Sequence, residues 1–140
     1  MDQSIRDVMT PNPSTISRSA SVLDAAQLMR GNNIGDVIVL ENDRLFGILT
    51  DRDIVVRGLA ERSDPETIRV GEICSRDLTT IEATASVEQA VRLMREKAIR
   101  RLPVVNESGD VVGIVSIGDV AVERDPRSAL ADISAAPPNL

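Results

Sequence analysis

Histidine is absent from this 140-residue chain. A histidine general base, a histidine metal ligand and a histidine pH switch are thereby excluded. Trp and Tyr are absent too, and Phe46 is the only aromatic residue. Single-stranded nucleic acid therefore finds no platform of stacking rings. Cys74 is the only cysteine, so no intramolecular disulfide can form, which suits a reducing compartment. Cations are outnumbered: 16 Lys and Arg stand against 22 Asp and Glu, a net charge of −6 that disfavours binding to a phosphate backbone. No apolar run approaches the roughly 20 residues that span a membrane. The start, Met1-Asp2-Gln3-Ser4-Ile5-Arg6, lacks the apolar core of a signal peptide. The expectation is a cytoplasmic protein with neither membrane nor nucleic acid among its partners. No nucleophile–base pair can be read, so no catalytic residue and no enzyme are expected.

What the chain does have is aliphatic: hydrophobic residues make up 42% of it, enough for one compact unit with a real core. The dominant pattern is an internal repeat. Ser21 to Arg30 lines up with Ser86 to Arg95 at an offset of 65. The same offset pairs Thr15-Ile16 with Thr80-Ile81, Ile34 with Ile99, Val39 with Val104, and Ile5 to Met9 with Val70 to Cys74. One extra residue near Gly109 moves the offset to 66 beyond it, inside a turn, where insertions are best tolerated.

Each repeat predicts the order β-α-β-β-α. A short strand (Ser14 to Ser17; Thr79 to Glu82) leads to a helix capped by Ser21 or Ser86. Val22, Ala25, Ala26, Leu28 and Met29 give the first of these helices one apolar face, and Val87, Ala90, Val91, Leu93 and Met94 the second. Gly31-Asn32-Asn33 stops the first, and the second runs out near Lys97. Hairpins follow, Asp36 to Leu40 with Arg44 to Leu49, and Leu102 to Val105 with Val111 to Ile117. Closing helices run from Asp51 to Arg62 and from Ile117 to Arg124. The fold class is therefore α/β (α+β). The domains are expected at 5–62 and 70–124, joined by a polar linker at 63–69 and followed by a tail at 125–140.

The most informative stretch is Gly47-Ile48-Leu49-Thr50-Asp51-Arg52-Asp53, which returns as Gly113-Ile114-Val115-Ser116-Ile117-Gly118-Asp119. A strand feeds straight into a helix N-terminus, whose free N–H groups and partial positive charge attract anions. A hydroxyl stands there to bond a phosphate or sugar oxygen. A carboxylate three residues on can accept both hydrogens of a cis-diol such as ribose. Plain capping explains Thr50 and Ser116 equally well one at a time, and dipole complementation explains Asp53 and Asp119. Recurrence in register favours function. The acid pair Asp51 and Asp53 has no double counterpart, since Ile117 stands in the place of Asp51, so no metal is expected. Met9, Met29, Met94 and Cys74 read as core.

Tandem β-α-β-β-α repeats, each ending in Gly, two aliphatics, a hydroxyl and an Asp, resemble the CBS domain family. Two such domains make a Bateman module. The resemblance covers residues 5 to 124 and is carried by Asp7-Val8-Met9-Thr10, Ser21 to Met29, Ile99 to Val105 and both glycine-to-aspartate stretches. It is strongest to small stand-alone two-CBS proteins of bacteria. It implies two repeats packed with pseudo-twofold symmetry around two clefts that bind adenosine-containing ligands. AMP, ADP or ATP are the expected ligands, with NAD or S-adenosylmethionine as further members of the class, and no cofactor is required. By position, Thr15, Ile16, Thr50, Arg52 and Asp53 would line one cleft, and Thr80, Ile81, Arg100, Arg101, Ser116 and Asp119 the other. Hydroxyl and aspartate would take ribose and phosphate, and the strand residues adenine. Arg100 and Arg101 would reach outer phosphates, where repeat 1 has Gly35-Asp36; surface ion pairing is the other reading of these two arginines. A homodimer acting on a separate protein target is implied. The alternative is a ligand-free dimeric interaction module.

Overall fold

The computed structural model describes residues 3–76 and 79–124; the tail expected at 125–140 lies outside them. The described residues gather into two compact units, where composition alone suggested one. Residues 13–76 form the repeat 1 unit. Residues 3–12 join residues 79–124 in the repeat 2 unit. Each unit closes its own core, which is why the two separate. Val22, Ala25, Val37, Val39, Leu49 and Ile68 anchor the first; Ile5, Ala90, Leu102, Val104 and Val115 anchor the second.

In the repeat 1 unit, β2 (Thr15–Ser17), β3 (Asp36–Glu41) and β4 (Arg44–Thr50) form a sheet in that order. β2 runs parallel to β3, and β3 antiparallel to β4. Asn42 and Asp43 both take positive φ, 52° and 64°, in the turn of the β3–β4 hairpin. In the repeat 2 unit, β5 (Ile81–Glu82) runs parallel to β6 (Arg101–Val105), and β6 antiparallel to β7 (Val111–Ser116). Both hairpins carry an irregularity at the same repeat position, between Val39 and Leu40 and between Val104 and Val105. The repeat is thus one of backbone detail as well as of sequence.

Helix α2 (Val22–Asn32) starts where Ser21 accepts from the Asp24 amide at 3.0 Å, and α5 (Val87–Lys97) where Ser86 accepts from Gln89 at 3.1 Å. Each ends on a left-handed residue, Asn33 and Ala98. The closing helix of repeat 1 begins as α3 (Asp51–Asp53) and continues as a π-helical segment, Ile54–Leu59. Sequence periodicity predicted an ordinary α-helix there. The wider turn is set by bonds such as the Ala60 amide to the Val55 carbonyl at 3.0 Å, five residues back. Its counterpart, α6 (Ile117–Arg124), is α-helical over the span predicted.

The segment leading each repeat in sequence docks in the unit of the other. Helix α1 (Ile5–Val8) and β1 (Thr10–Pro11) join the repeat 2 unit: β1 pairs antiparallel with β7, and the Ile5 amide donates to Ala85. Helix α4 (Val70–Ile73) joins the repeat 1 unit, where Ser75 and Ile48 exchange backbone bonds at 2.8 and 3.0 Å. This exchange explains the glycine that opens each recurrent stretch. A Cβ on Gly47 would lie 2.3 Å from the Ser75 carbonyl oxygen; one on Gly113 would lie 2.4 Å from Met9 Sδ. Neither glycine has positive φ, so close approach of the docked segment demands them.

Candidate functional site

Strand β4 delivers Thr50 to the start of α3, and β7 delivers Ser116 to the start of α6. In both places the hydroxyl and the aspartate cap each other's backbone. Thr50 Oγ1 accepts from the Asp53 amide at 3.1 Å, and Asp53 Oδ2 accepts from the Thr50 amide at 2.9 Å. Ser116 Oγ accepts from Asp119 at 3.2 Å, and Asp119 Oδ2 from Ser116 at 2.8 Å. The four side chains are half-buried. The capping role is therefore fulfilled, and it does not exhaust the groups. Each hydroxyl accepts in the cap and keeps a proton to donate. Each carboxylate caps through Oδ2, which leaves Oδ1 to receive a ligand. A reciprocal cap also fixes both rotamers in advance, the condition for a pre-formed site.

Thr15 is exposed at the start of β2 and Ile16 is half-buried. Thr15 sits level with Ile38 and Ile48, one intervening strand away from β4. From strand spacing and rise, Thr15 and Thr50 lie about 12 Å apart on one sheet. In repeat 2, Ile81 is buried in the core, while Thr80 is half-buried. Both border a hollow of about 470 Å³ shared with Gln89, Arg92 and Leu93 of α5. Ser116 and Asp119 do not line that hollow. Arg52 and Arg100 are exposed, and Arg101 is half-buried with a partner of its own.

The surroundings of the two helix starts differ. In repeat 1 the Asp51 amide donates to the Gly35 carbonyl at 2.9 Å, and in repeat 2 the Ile117 amide donates to the Arg100 carbonyl at 2.9 Å. The backbone matches while the side chains do not. Asp51 Oδ2 lies 3.2 Å from where a Cβ on Gly35 would stand, and Asp51 Oδ1 accepts from the Arg52 amide at 2.8 Å.

Phe46 carries a contact that no local sequence pattern signals. Phe46 is buried with two guanidinium groups over its ring, Arg18 at 4.5 Å and Arg76 at 3.5 Å from the centroid. Arg76 Nε also donates to the Phe46 carbonyl at 2.8 Å, and Arg18 pairs with Glu41. The pairing of Arg18 with Phe46 spans two strands, and no local pattern signals it. Beside it Cys74 is buried, and loss of solvation pushes its thiol above the ordinary 9.0.

The sequence model of the CBS domain matches residues 5–59 and again 70–124. The chain belongs to the CBS domain family. The CBS domain-containing protein YhcV of Bacillus subtilis is 40% identical over 135 residues, covering 94% of this chain and 95% of YhcV. Hypoxic response protein 1 of Mycobacterium tuberculosis is 38% identical, covering 83% of this chain and 81% of that protein. Among solved structures, Hypoxic Response Protein I with two coordinated zinc ions superposes with a TM-score of 0.74 at 37% identity, covering 86% of this chain and 98% of that one. The CBS domain pair of MJ0100, in complex with 5′-methylthioadenosine and S-adenosyl-L-methionine, gives 0.79 at 25%, covering 91% and 100%. CBSX2 in complex with AMP gives 0.70 at 27%, covering 86% and 94%. The chain is thus a CBS-domain pair of mixed α/β class.

The chain has no His, its one Cys is buried, and among the described residues no group of three or more His, Cys, Asp or Glu could hold a metal ion. No helix among the described residues is long and apolar enough to cross a membrane.

Proposed function

We propose that this CBS pair is a non-catalytic regulatory module that senses an adenine nucleotide of the AMP, ADP or ATP class. One site lies at the Thr50–Asp53 helix start and one at the Ser116–Asp119 helix start. The observation that carries the reading is the recurrence of the same pre-set hydroxyl–carboxylate pair at both strand-to-helix junctions. Asp53 and Asp119 accept the ribose diol through Oδ1, and Thr50 and Ser116 donate to a ribose or phosphate oxygen. Thr15, Ile16, Thr80 and Ile81 offer the adenine edge and face, and Arg52, Arg100 and Arg101 the phosphate cations. AMP on CBSX2 and the two sulfur-linked adenosines on MJ0100 support the ligand class. NAD and S-adenosylmethionine belong to the same test.

The module acts in the cytoplasm as a homodimer and passes its signal to a separate protein target. Val55, Val56 and Leu59 on the π-helical segment and Ile117 on α6 are exposed, which supports burial of these faces by a second copy. The alternative is a ligand-free interaction module. Its support is that the caps already employ all four hydroxyl and carboxylate groups.

A thermal-shift panel of AMP, ADP, ATP, NAD and S-adenosylmethionine separates the two readings. A ligand at one hundred times its dissociation constant stabilises the folded state by about 2.7 kcal/mol. For a chain of this size that raises Tm by roughly 9 °C. At least one adenine nucleotide produces such a rise if the sensor reading holds. A flat response across the panel at millimolar concentration leaves the interaction module.

A further inference from the structure

We propose that the repeat 2 unit carries a second kind of site, at the end of its sheet far from the Ser116–Asp119 junction. It is a hollow for a small zwitterion with a guanidinium or ammonium at one end and a carboxylate at the other, the chemistry of a free basic amino acid. The proposal is independent of the adenosine reading.

The two repeats share one piece of backbone here. The residue after β2 or β5 donates to the end of the next strand, Arg18 to the Leu40 carbonyl at 2.9 Å and Ala83 to the Val105 carbonyl at 3.0 Å. Its own carbonyl accepts from the docked helix, from the Gly71 amide at 2.8 Å in repeat 1 and from the Arg6 amide at 3.0 Å in repeat 2. Arg18 and Ala83, Gly71 and Arg6, and Glu41 and Asn106 are therefore equivalent pairs, each 65 residues apart.

In repeat 1 the place is filled from within. The Arg18 stem lies against Gly71, where an added Cβ would stand 3.2 Å from Arg18 Cβ, and its guanidinium reaches Glu41 and the face of Phe46. In repeat 2 each of those parts is replaced. Ala83 has no stem, Asn106 stands for the carboxylate, and Val112 for the ring. A hollow of about 300 Å³ lies there instead, and its lining includes Arg6, Glu82, Ala83, Asn106 and Glu107. That volume suits a ligand at the small end of the usual range.

Ala83 is buried, at the floor. Among the described residues, the side chains of Arg6, Glu82 and Glu107 have no hydrogen-bond or ion-pair partner, although all three border one hollow. Asn106 Oδ1 accepts from the Ser108 and Asp110 amides at 3.0 Å each, which leaves its amide nitrogen to donate. The hollow thus offers donors from Arg6 and Asn106 and acceptors from Glu82 and Glu107. A simple anion or cation would match one sign only. A zwitterion matches both: its carboxylate takes the fork of Arg6, and its cation the glutamates. A guanidinium is the favoured cation, because repeat 1 places its own, Arg18, in the equivalent space. Glu82 and Val105 pair at one end of the sheet, and Arg101 and Ser116 at the other, the length of β6 away, about 13 Å. The hollow shares no residue with the helix-start site.

Isothermal titration calorimetry of the full chain with L-arginine, agmatine and L-citrulline tests the proposal. Agmatine lacks the carboxylate, and citrulline lacks the side-chain charge. L-arginine should bind saturably, and the other two about tenfold more weakly or beyond, the loss expected for one charge-assisted contact. Arg6→Ala should weaken L-arginine by about tenfold and leave agmatine unchanged. Glu82→Gln with Glu107→Gln should weaken L-arginine and agmatine alike. Arg6→Gly with Ala83→Arg rebuilds the filling of repeat 1 and should abolish binding. Circular dichroism checks each variant; Arg6, Glu82 and Glu107 are exposed, so their variants decide the matter even if the one at buried Ala83 fails to fold. Absence of saturable L-arginine binding to the wild type at millimolar concentration overturns the proposal. So does equal binding of the three ligands, or an L-arginine affinity unmoved by Arg6→Ala. None of these results touches the adenosine reading, which AMP, ADP and ATP test separately.

Discussion

Cys74 is the residue whose environment speaks most directly to pH. Burial raises its thiol above 9.0, so the folded state holds this proton more tightly than the unfolded chain does. The contribution is fully present below the unfolded value and is lost as pH rises through and beyond it. Few other groups obscure the effect, because the chain has no Tyr and one Lys, Lys97. Melting temperature should therefore fall as pH rises above about 8.5, the ordinary thiol value. Cys74→Ala should flatten that fall while lowering Tm at pH 7. An unchanged alkaline slope in the variant would show that the thiol is not its source. Repeat alignment with Met9 already marked Cys74 as core. Its neighbours Arg18, Arg76 and Phe46 were not legible, because their contact joins residues far apart in the chain. Asp119 teaches a related lesson. As a first-turn acid it promised only about 0.3–1 kcal/mol through the helix dipole. Reciprocal capping adds to that, so Asp119→Ala should cost about 1–2 kcal/mol at the unfolding midpoint in urea.

At the scale of elements, the docked lead segments are the feature that couples parts of the chain distant in sequence. Each recurrent stretch opens on a glycine because the other repeat's lead segment lies against it. Gly47→Ala drives a methyl into the Ser75 backbone, which cannot swing aside; Gly113→Ala meets the flexible end of Met9 and the Thr10 carbonyl oxygen 2.9 Å away. Both should destabilise, Gly47→Ala more, by about 1–3 kcal/mol or beyond. Hydrogen exchange should show the loss first at Ile48 and Ser75 in the one and at β1 and β7 in the other. Uniform loss across both units would contradict the local clash. The strands β2 to β7, both Ser caps and α6 were legible from the repeat, from β-type runs and from capping residues; β1, two residues long and paired with a strand of the other repeat, was not. The π-helical turn was not, because its apolar positions, Ile54, Val55 and Leu59, fit a 3.6-residue period. The exchange was not legible either: pattern reveals which segments are equivalent, and only pairing reveals where each one docks.

At the scale of the whole molecule, the exposed aliphatics ask for a partner surface. Val55 is 58% exposed and Leu59 42%. Val55→Glu with Leu59→Glu should convert a dimer to monomer at tens of micromolar, read by sedimentation, without lowering helix content. A wild type that sediments as a monomer at that concentration would contradict the dimer. The two recurrent caps are where an adenine nucleotide should bind, and calorimetry on two proteins probes both at once. AMP, ADP and ATP are titrated into the wild type and into the double variant Asp53→Ala, Asp119→Ala, after circular dichroism has shown that the variant is folded. Saturable binding of at least one nucleotide to the wild type is expected. Binding should weaken by about 1.5–3 kcal/mol at each site in the variant, the worth of a charge-assisted hydrogen bond. Wild-type affinity retained in the folded double variant would show that the caps do not hold the ligand.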